Sequence, residues 1–555
     1  MGKEVIAGGL PCSRDLRSGF CKENGVYYSK HKPRSIPDEP YLDVVSYVLS
    51  PKHRAAEIAL IDSSTNQQIS YKELPGKIRC VAAGLYRMGI RQGDVVCIVS
   101  PNSIHFPVIF LGILSIGAVA TTTNPLNTAA EIIKQTRDSK AKLAFAVPEL
   151  VERVKPTGLP LVVITQESYK HAAHHFITYG ELLQSDPCMA PTVKIRQEDT
   201  AALLYSSGTT GVSKGVIITH RNVISMVTLL LGVIISESNL NAWEMVSLAV
   251  LPMFHVYGLT MLVAGMLAVG ATCVVMGRFE LEEMLRTFEH YKITFVPLVP
   301  PIILALTHHS AVVGKYDLTS VRHVGSGAAP LGKQVAQAFA NRFPHIQLLQ
   351  GYGMTETIGA TSVTTGEGYK RYGSAGLLIP NIEAKVIDVD KATPLPPNQK
   401  GELCLRGPII MKGYFSNEEA TSSTIDKEGW LHTGDLCYFD EDGFLYVVDR
   451  LKELIKYNAY QVAPAELEAL LLSHPEILDG AVVPLPDEEV GEIPLAYVVK
   501  KANSLLAEQD VINFVAKQVA PYKKVRRVLF IDSIPKSAVG KILRKELVER
   551  TTSKL

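Results

Sequence analysis

The stretch LYSSGTTGVSKG, residues 204–215, follows an apolar run and crowds glycines 208, 211 and 215 among hydroxyls, with Lys214 near its end. The Walker A pattern is G-x-x-x-x-G-K-[ST]. Here Gly208 and Gly211 stand three apart and Lys214 three further on, so this is not a Walker loop. The physics of anion binding still applies. Glycines let backbone N–H groups approach a phosphate closely, and Ser206, Ser207, Thr209 and Thr210 add donors. A bland surface turn would need neither so many hydroxyls nor the lysine.

Around this loop the pattern alternates between strands and helices. Short apolar runs such as Asp94–Ser100 (DVVCIVS) and Lys142–Val147 (KLAFAV) read as strands. Downstream, Val223, Met226, Val227 and Leu230 recur at helical spacing behind Thr219, a natural N-cap. The expectation is an α/β chain with sheets covered by helices. At 555 residues it exceeds one hydrophobic core. A boundary is expected within Asp449–Pro464, where Asp- and Gly-rich turns (DEDGF) give way to a helix with Pro464 at N1. This predicts a large α/β domain over 1–449 and a small α+β domain over 450–555.

Composition excludes several classes. A net charge of +1 gives no support for a nucleic-acid binder. Eight scattered cysteines without a C-x-x-C pair suggest reduced thiols, not a disulfide framework or zinc ribbon. Residues 1–20 lack the apolar core of a secretory signal, and Ile6 breaks the myristoylation pattern. Two long apolar stretches, 106–123 and 259–276, carry internal glycines and read as buried helices running into strands, not as membrane spans. The final Ser553-Lys554-Leu555 matches the peroxisomal import signal, an address for the import receptor.

Eight ordered blocks now carry a resemblance. They are YSSGTTGVSKGV at 205, LPMFHVYGL at 251, GSGAAPLGK at 325, GYGMTET at 351, GELCLRG at 401, WLHTGD at 430, DRLKELIK at 449 and PKSAVGK at 535. Together they resemble the adenylate-forming superfamily of acyl-CoA synthetases, luciferases and peptide-synthetase adenylation domains. Within it the chain is most similar to the plant 4-coumarate:CoA ligase-like group, whose peroxisomal members end in S-K-L. The resemblance implies an ATP- and Mg²⁺-dependent acid:CoA ligase. A carboxylate is a poor electrophile, so ATP converts it to an acyl-adenylate, and the coenzyme A thiol then displaces AMP. Catalysis of that kind is largely positioning and electrostatics.

The resemblance also implies roles. Ser206, Ser207, Gly208, Thr209, Thr210 and Lys214 would grip the departing phosphates. Tyr352 would stack on adenine, beside Gln350, Gly351 and the Ala328-Ala329 backbone. Thr355 would bind the α-phosphate, Glu356 would hold Mg²⁺, and Asp435 would accept from the ribose hydroxyls near Arg450; Arg278 joins the cofactor-binding set. Lys541 would serve adenylation, and Lys452 marks the hinge about which the small domain turns. His255 would gate the thiol tunnel, and Lys456 and Gln461 are kept as members of the catalytic set. Structural alternatives exist: Glu356 could cap a helix, and Asp435 could close an Asx turn. Their joint order argues against them. His171, His174 and His175 (HAAHH) and the basic run 523–527 read as solvated surface, the histidines on a helix face.

Two departures stand out. The lysine-glycine pair that touches coenzyme A in the family is Asn458-Ala459 here, which bears on the thioester step and not on adenylation. In the acyl pocket Tyr257 is kept, Met261 replaces a hydroxyl, and Gly325 and Gly359 replace methionine and proline, with Gly353, Ala360 and Thr361 around them. That predicts a roomier, more apolar pocket for a fatty acid, an oxylipin acid or an unsubstituted cinnamate. The alternatives are a 4-coumarate ligase, a luciferase-like enzyme with a weak thioester step, and a non-catalytic nucleotide or acyl binder. The last would be expected to have lost Glu356, Lys541 or the Lys214 loop.

Overall fold

The computed structural model describes residues 14–50, 56–171, 174–206, 213–238, 244–457, 460–487 and 489–552. Its frame is two nine-stranded sheets whose central strands run parallel. One is centred on Val95–Val99, Val119–Thr123 and Thr200–Ser206; the other on Phe295–Leu298, His323–Ser326 and Gln347–Met354. Parallel strands buried on both faces need continuous apolar sequence, and Val95–Val99 is buried at every position. The apolar stretches at 106 and 259 do run from buried helix into buried strand, at His105–Ser115 into Val119–Thr123 and at Leu259–Val269 into Thr272–Val275. Among the described residues no helix is long and apolar enough to cross a membrane.

A third, six-stranded antiparallel sheet ends in Gly401–Arg406, Leu431–Phe439 and Leu445–Arg450. The chain turns into that last strand at the DEDGF segment, where Gly443 adopts φ +80°. Beyond it lies a smaller unit with its own sheet, built on Ile477–Asp487 and Gly491–Lys500, and its own core around Leu467, Val498 and Val511. The large core draws only on residues up to Leu445. Pro464 opens the helix Pro464–Leu472, as its fixed φ favours.

Three local expectations need correction. The helix after Thr219 begins at the anticipated N-cap, with Asn222 closing a capping box, but Val227–Leu231 continues it as a π-helix. Leu259–Met266 is a second π segment, packed against the first. Such insertions recur at functional sites and leave no 3.6-residue signature. The histidines of HAAHH do not lie on a helix: Tyr169–His171 and His174–Thr178 pair as antiparallel strands. Six cysteines are free thiols as expected, whereas Cys21 is disulfide-bonded.

Candidate active site

The phosphate-type loop springs from a hairpin. Thr200–Ser206 pairs with Lys214–Thr219 so that Ser206 faces Lys214 across its neck. Ser207, Gly208, Thr209 and Thr210 lie outside the described residues. Tyr414, on the short strand Gly413–Tyr414 beside the hairpin, completes the neck. The Lys214 ammonium sits 4.8 Å from the Tyr414 ring centre, a cation–π distance.

Glu356 faces this neck from the 3₁₀ turn Thr355–Thr357. It is only 5% exposed, and its Oε1 accepts from both Ser206 Oγ and Tyr414 Oη at 2.9 Å. Hydrogen bonds of this kind offset the cost of burying a polar carboxyl group. Among the described residues no side chain donates to Oε2, which leaves an oxygen ligand of the type Mg²⁺ takes alongside phosphate oxygens and water. The turn is strained: Ile358, β-branched and fully buried, is held left-handed at φ +60°. Tyr414 was not anticipated from sequence, because its partner Glu356 lies 58 residues away.

A second group surrounds Asp435. Cross-strand pairing puts Asp435 opposite Arg450, with Oδ1 3.5 Å from the guanidinium Nε. Tyr352 Oη donates to Asp435 Oδ2 at 2.6 Å. Burial pushes the Asp435 carboxyl up, against the pull of Arg450, and pushes the Tyr352 phenol well above its usual value. Gln350 exchanges hydrogen bonds with Thr364, and Gly351 pairs with Val363, so the strand under Tyr352 is fixed. Ala328, the residue expected beside adenine, is exposed and left-handed at φ +67°. Such strain in a non-glycine residue is typical of ligand-clamping backbone.

Lys541 reaches this group from the small domain. It ends a tight turn in which Ser537 N–H donates to the Lys541 carbonyl and Gly540 takes φ +76°. A β-carbon on Gly540 would lie 3.1 Å from Pro301 of the large domain, so the turn rests directly on it. Burial, then Arg450, lowers the Lys541 pKa; Glu453 and Asp435 oppose them. Lys541 is therefore a recessed cation beside Asp435, Arg450 and Glu453.

Lys456 and Gln461 are placed elsewhere. They face each other in the hairpin of Ile455–Tyr457 and Tyr460–Val462, both exposed. Gln461 lines a separate interdomain cleft of about 290 Å³ with Lys400, Leu436, Tyr522 and Lys523. Asn458 and Ala459 lie outside the described residues, as does the Ser553-Lys554-Leu555 end. Lys452 and Arg278 are exposed.

The acyl-pocket expectation changes in one respect. A β-carbon at Gly325 would lie 3.3 Å from Tyr257 Oη, and one at Gly359 would lie 3.2 Å from the Met226 thioether and 3.4 Å from Thr260 Oγ1. The space released by the two glycines is thus partly refilled by Tyr257 and Met226. Gly353 is pressed against the backbone, since a β-carbon there would fall 1.9 Å from Gly359 O. Thr361 is fully buried and donates to the Tyr352 carbonyl, bracing that strand from behind; Met261 is buried and Ala360 half-buried. His255 caps the short helix Val256–Gly258, its Nδ1 accepting from Tyr257 N–H, and burial lowers its pKa to about 4. It is a neutral imidazole in a recess.

Comparison with known proteins identifies the family. Residues 50–415 match the AMP-binding enzyme family and residues 466–541 the AMP-binding enzyme C-terminal domain. The chain is 51% identical to a probable CoA ligase, CCL5, of Humulus lupulus, over 98% of both chains. It is 50% identical to the peroxisomal OPC-8:0-CoA ligase 1 of Arabidopsis thaliana, over 98% of this chain and 99% of that one. In fold it superposes on the anthranilate CoA ligase AuaEII, solved with anthranoyl-AMP, with a TM-score of 0.84 at 24% identity, covering 93% of this chain and 99% of that one. The chain belongs to the AMP-binding enzyme family, the adenylate-forming superfamily, and within it to the plant 4-coumarate:CoA ligase-like group of acid–thiol ligases.

Proposed function

We propose that this ATP-dependent acid:CoA ligase activates a carboxylic acid with an apolar tail, of the fatty-acid or oxylipin type, in the peroxisome. The observation that carries the adenylation half is Lys541, held by the Gly540–Pro301 contact among Asp435, Arg450 and Glu453. In that position a lysine cation can bridge the acid carboxylate and the α-phosphate, neutralising both as they approach. Ser206, Lys214 and the loop between them hold the leaving phosphates. Thr355 lies one residue before Glu356, where it can meet the α-phosphate. Glu356 would ligate Mg²⁺, which supplies charge neutralisation when bound. Asp435 and Tyr352 fix the nucleoside, with Gln350, Gly351 and the Ala328 turn around it.

For the thioester half, the small domain rotates about Lys452. Lys541 leaves, and the Lys456–Gln461 hairpin takes its place. His255, kept neutral by burial, lines the path of the thiol. Arg278, exposed on the large domain, is a point charge for a coenzyme A phosphate. The substrate class rests on the apolar lining by Met226 and Met261, and on the likeness to a relative named as an OPC-8:0-CoA ligase. The compartment rests on the likeness to that relative, which is named as peroxisomal. A hydroxycinnamate is the second reading, favoured by the Tyr257 hydroxyl beside Gly325, which offers a phenol one polar partner.

The test is a panel of acids with ATP and coenzyme A, following pyrophosphate and thioester in parallel. Medium-chain fatty acids and oxylipin acids should exceed 4-coumarate in kcat/KM. Faster turnover of 4-coumarate than of any apolar-tailed acid would overturn the substrate reading. Pyrophosphate release without thioester would overturn the ligase reading in favour of an adenylate-only enzyme.

A further inference from the structure

Outside the active site, Glu402, Cys404 and His432 bring three metal-binding atoms within 4.8 Å of one another. Glu402 and Cys404 are two apart on the strand Gly401–Arg406 and so share one face. His432 is the cross-strand partner of Cys404. Its Nδ1 lies 3.4 Å from Cys404 Sγ and 3.0 Å from Glu402 Oε2. Both contacts converge on one ring nitrogen, so this is not a relay in which a histidine passes a proton between thiol and carboxylate. It is a cluster of three atoms, each of a kind that ligates metal ions.

The spacing has a definite meaning. With Zn–S near 2.3 Å and Zn–N and Zn–O near 2.0–2.2 Å, the donors of a tetrahedral site lie roughly 3.4–3.6 Å apart. The sulfur–nitrogen separation already fits, and the nitrogen–oxygen pair needs to open by a few tenths of an ångström. Asp426 Oδ2 stands 3.8 Å from the other ring nitrogen, Nε2, and Asp426 is itself anchored by the N–H groups of Glu428 and Trp430. A carboxylate behind a ligating histidine is the usual orienting partner. Cys404 is buried, whereas the side chains of His432 and Glu402 are 37% and 21% exposed, which leaves an entry path and room for water as a fourth ligand.

We propose that Glu402, Cys404 and His432 bind a divalent d-block ion of the zinc class. Thiolate with imidazole selects such an ion over Mg²⁺. Its place in the fold suggests a role. The pairing between these two strands shifts register between Glu402 and Cys404, so that Thr433, Gly434 and Asp435 form a bulge opposite Leu403 alone. The other oxygen of Glu402 accepts the Gly434 N–H at 3.0 Å, one residue before Asp435. An ion on Oε2 would therefore pin the bulge that presents Asp435, bracing the nucleotide site from outside.

The test uses Co²⁺ as a spectroscopic probe on the chelator-treated full chain without ATP, together with the Zn²⁺ dependence of Tm. The expected result is one Co²⁺ per chain with an intense near-ultraviolet thiolate-to-metal band. That band is lost in Cys404→Ser and unchanged in Glu356→Gln and in Cys188→Ser, which removes an exposed thiol. Asp426→Asn should weaken Co²⁺ binding by roughly 10-fold or more. Zn²⁺ should raise Tm of the wild-type protein and not of Cys404→Ser. Should that variant not fold, His432→Gln provides the same comparison with the thiol intact, and its binding must weaken. Absence of the band in the wild type, its persistence in Cys404→Ser, or an equal Zn²⁺ effect on both Tm values would overturn the proposal.

Discussion

Replacing Glu356 by glutamine separates charge from scaffold at the loop neck. The side chain keeps its size, and its amide oxygen can still accept from Ser206 and Tyr414. Hydrogen bonds to a charged acceptor contribute about 1.5–3 kcal/mol and neutral ones about 0.5–1.5, so weakening two of them costs about 2–3 kcal/mol. Removing a charge from a site 5% exposed offsets much of that. The net change in stability should be within about 1–2 kcal/mol, a Tm shift of a few degrees. Activity should respond far more. Loss of one electrostatic group in a phosphoryl site costs about 10²–10³-fold in kcat. Pyrophosphate release at saturating acid and ATP, measured across a Mg²⁺ titration, should fall by that factor with the Mg²⁺ midpoint raised. Tyr414→Phe removes one donor but keeps the charge, and should lose no more than about tenfold. If Glu356→Gln retained more than a tenth of wild-type turnover with an unmoved Mg²⁺ midpoint, the carboxylate would not be the ion's ligand. Equal damage from both variants would make the neck a scaffold only.

Gly540→Ala combines a left-handed residue with a β-carbon 3.1 Å from Pro301, and should slow adenylation at least tenfold while the thioester step from supplied acyl-adenylate stays within twofold, as stopped-flow would show. Lys541 must be charged to act, and its pKa is lowered by burial and then by Arg450. Pyrophosphate release should therefore fall as pH rises through a midpoint below the usual 10.5, and Arg450→Gln should move that midpoint upward. Met226→Ala opens the space beside Gly359 at a stability cost of about 2–5 kcal/mol. Each methylene that newly fits should improve kcat/KM about fourfold, from about 0.8 kcal/mol per buried group, and an unchanged chain-length preference would exclude Met226 from the tail pocket.

What the sequence disclosed and what it hid divide along a physical line. Contiguous patterns were legible: the strand Val95–Val99, the Thr219 cap and Pro464 at N1 are local choices, and the structure contains each. The fold class followed from ordered blocks whose glycines and charges have no packing reason to sit together. What escaped depends on closure between distant segments. Tyr414 reaches Glu356 only because its short strand pairs with Val216 and Ile217. Met226 refills the space at Gly359 from the end of an α-helix that continues as a π-helix, and an i→i+5 turn leaves no periodic trace. The roomier pocket was inferred from missing side chains, which gives the volume removed but never the neighbour that moves in. The same closure sets Cys404 against His432 across a bulge, although GELCLRG and WLHTGD each read as a motif complete in itself. A residue type at a motif position specifies what chemistry is available; the strand register decides which two chemistries meet. In this chain the register that aims Asp435 at Tyr352 is the one that gathers Glu402, Cys404 and His432, so a metal brace and a nucleotide site would share a single bulge.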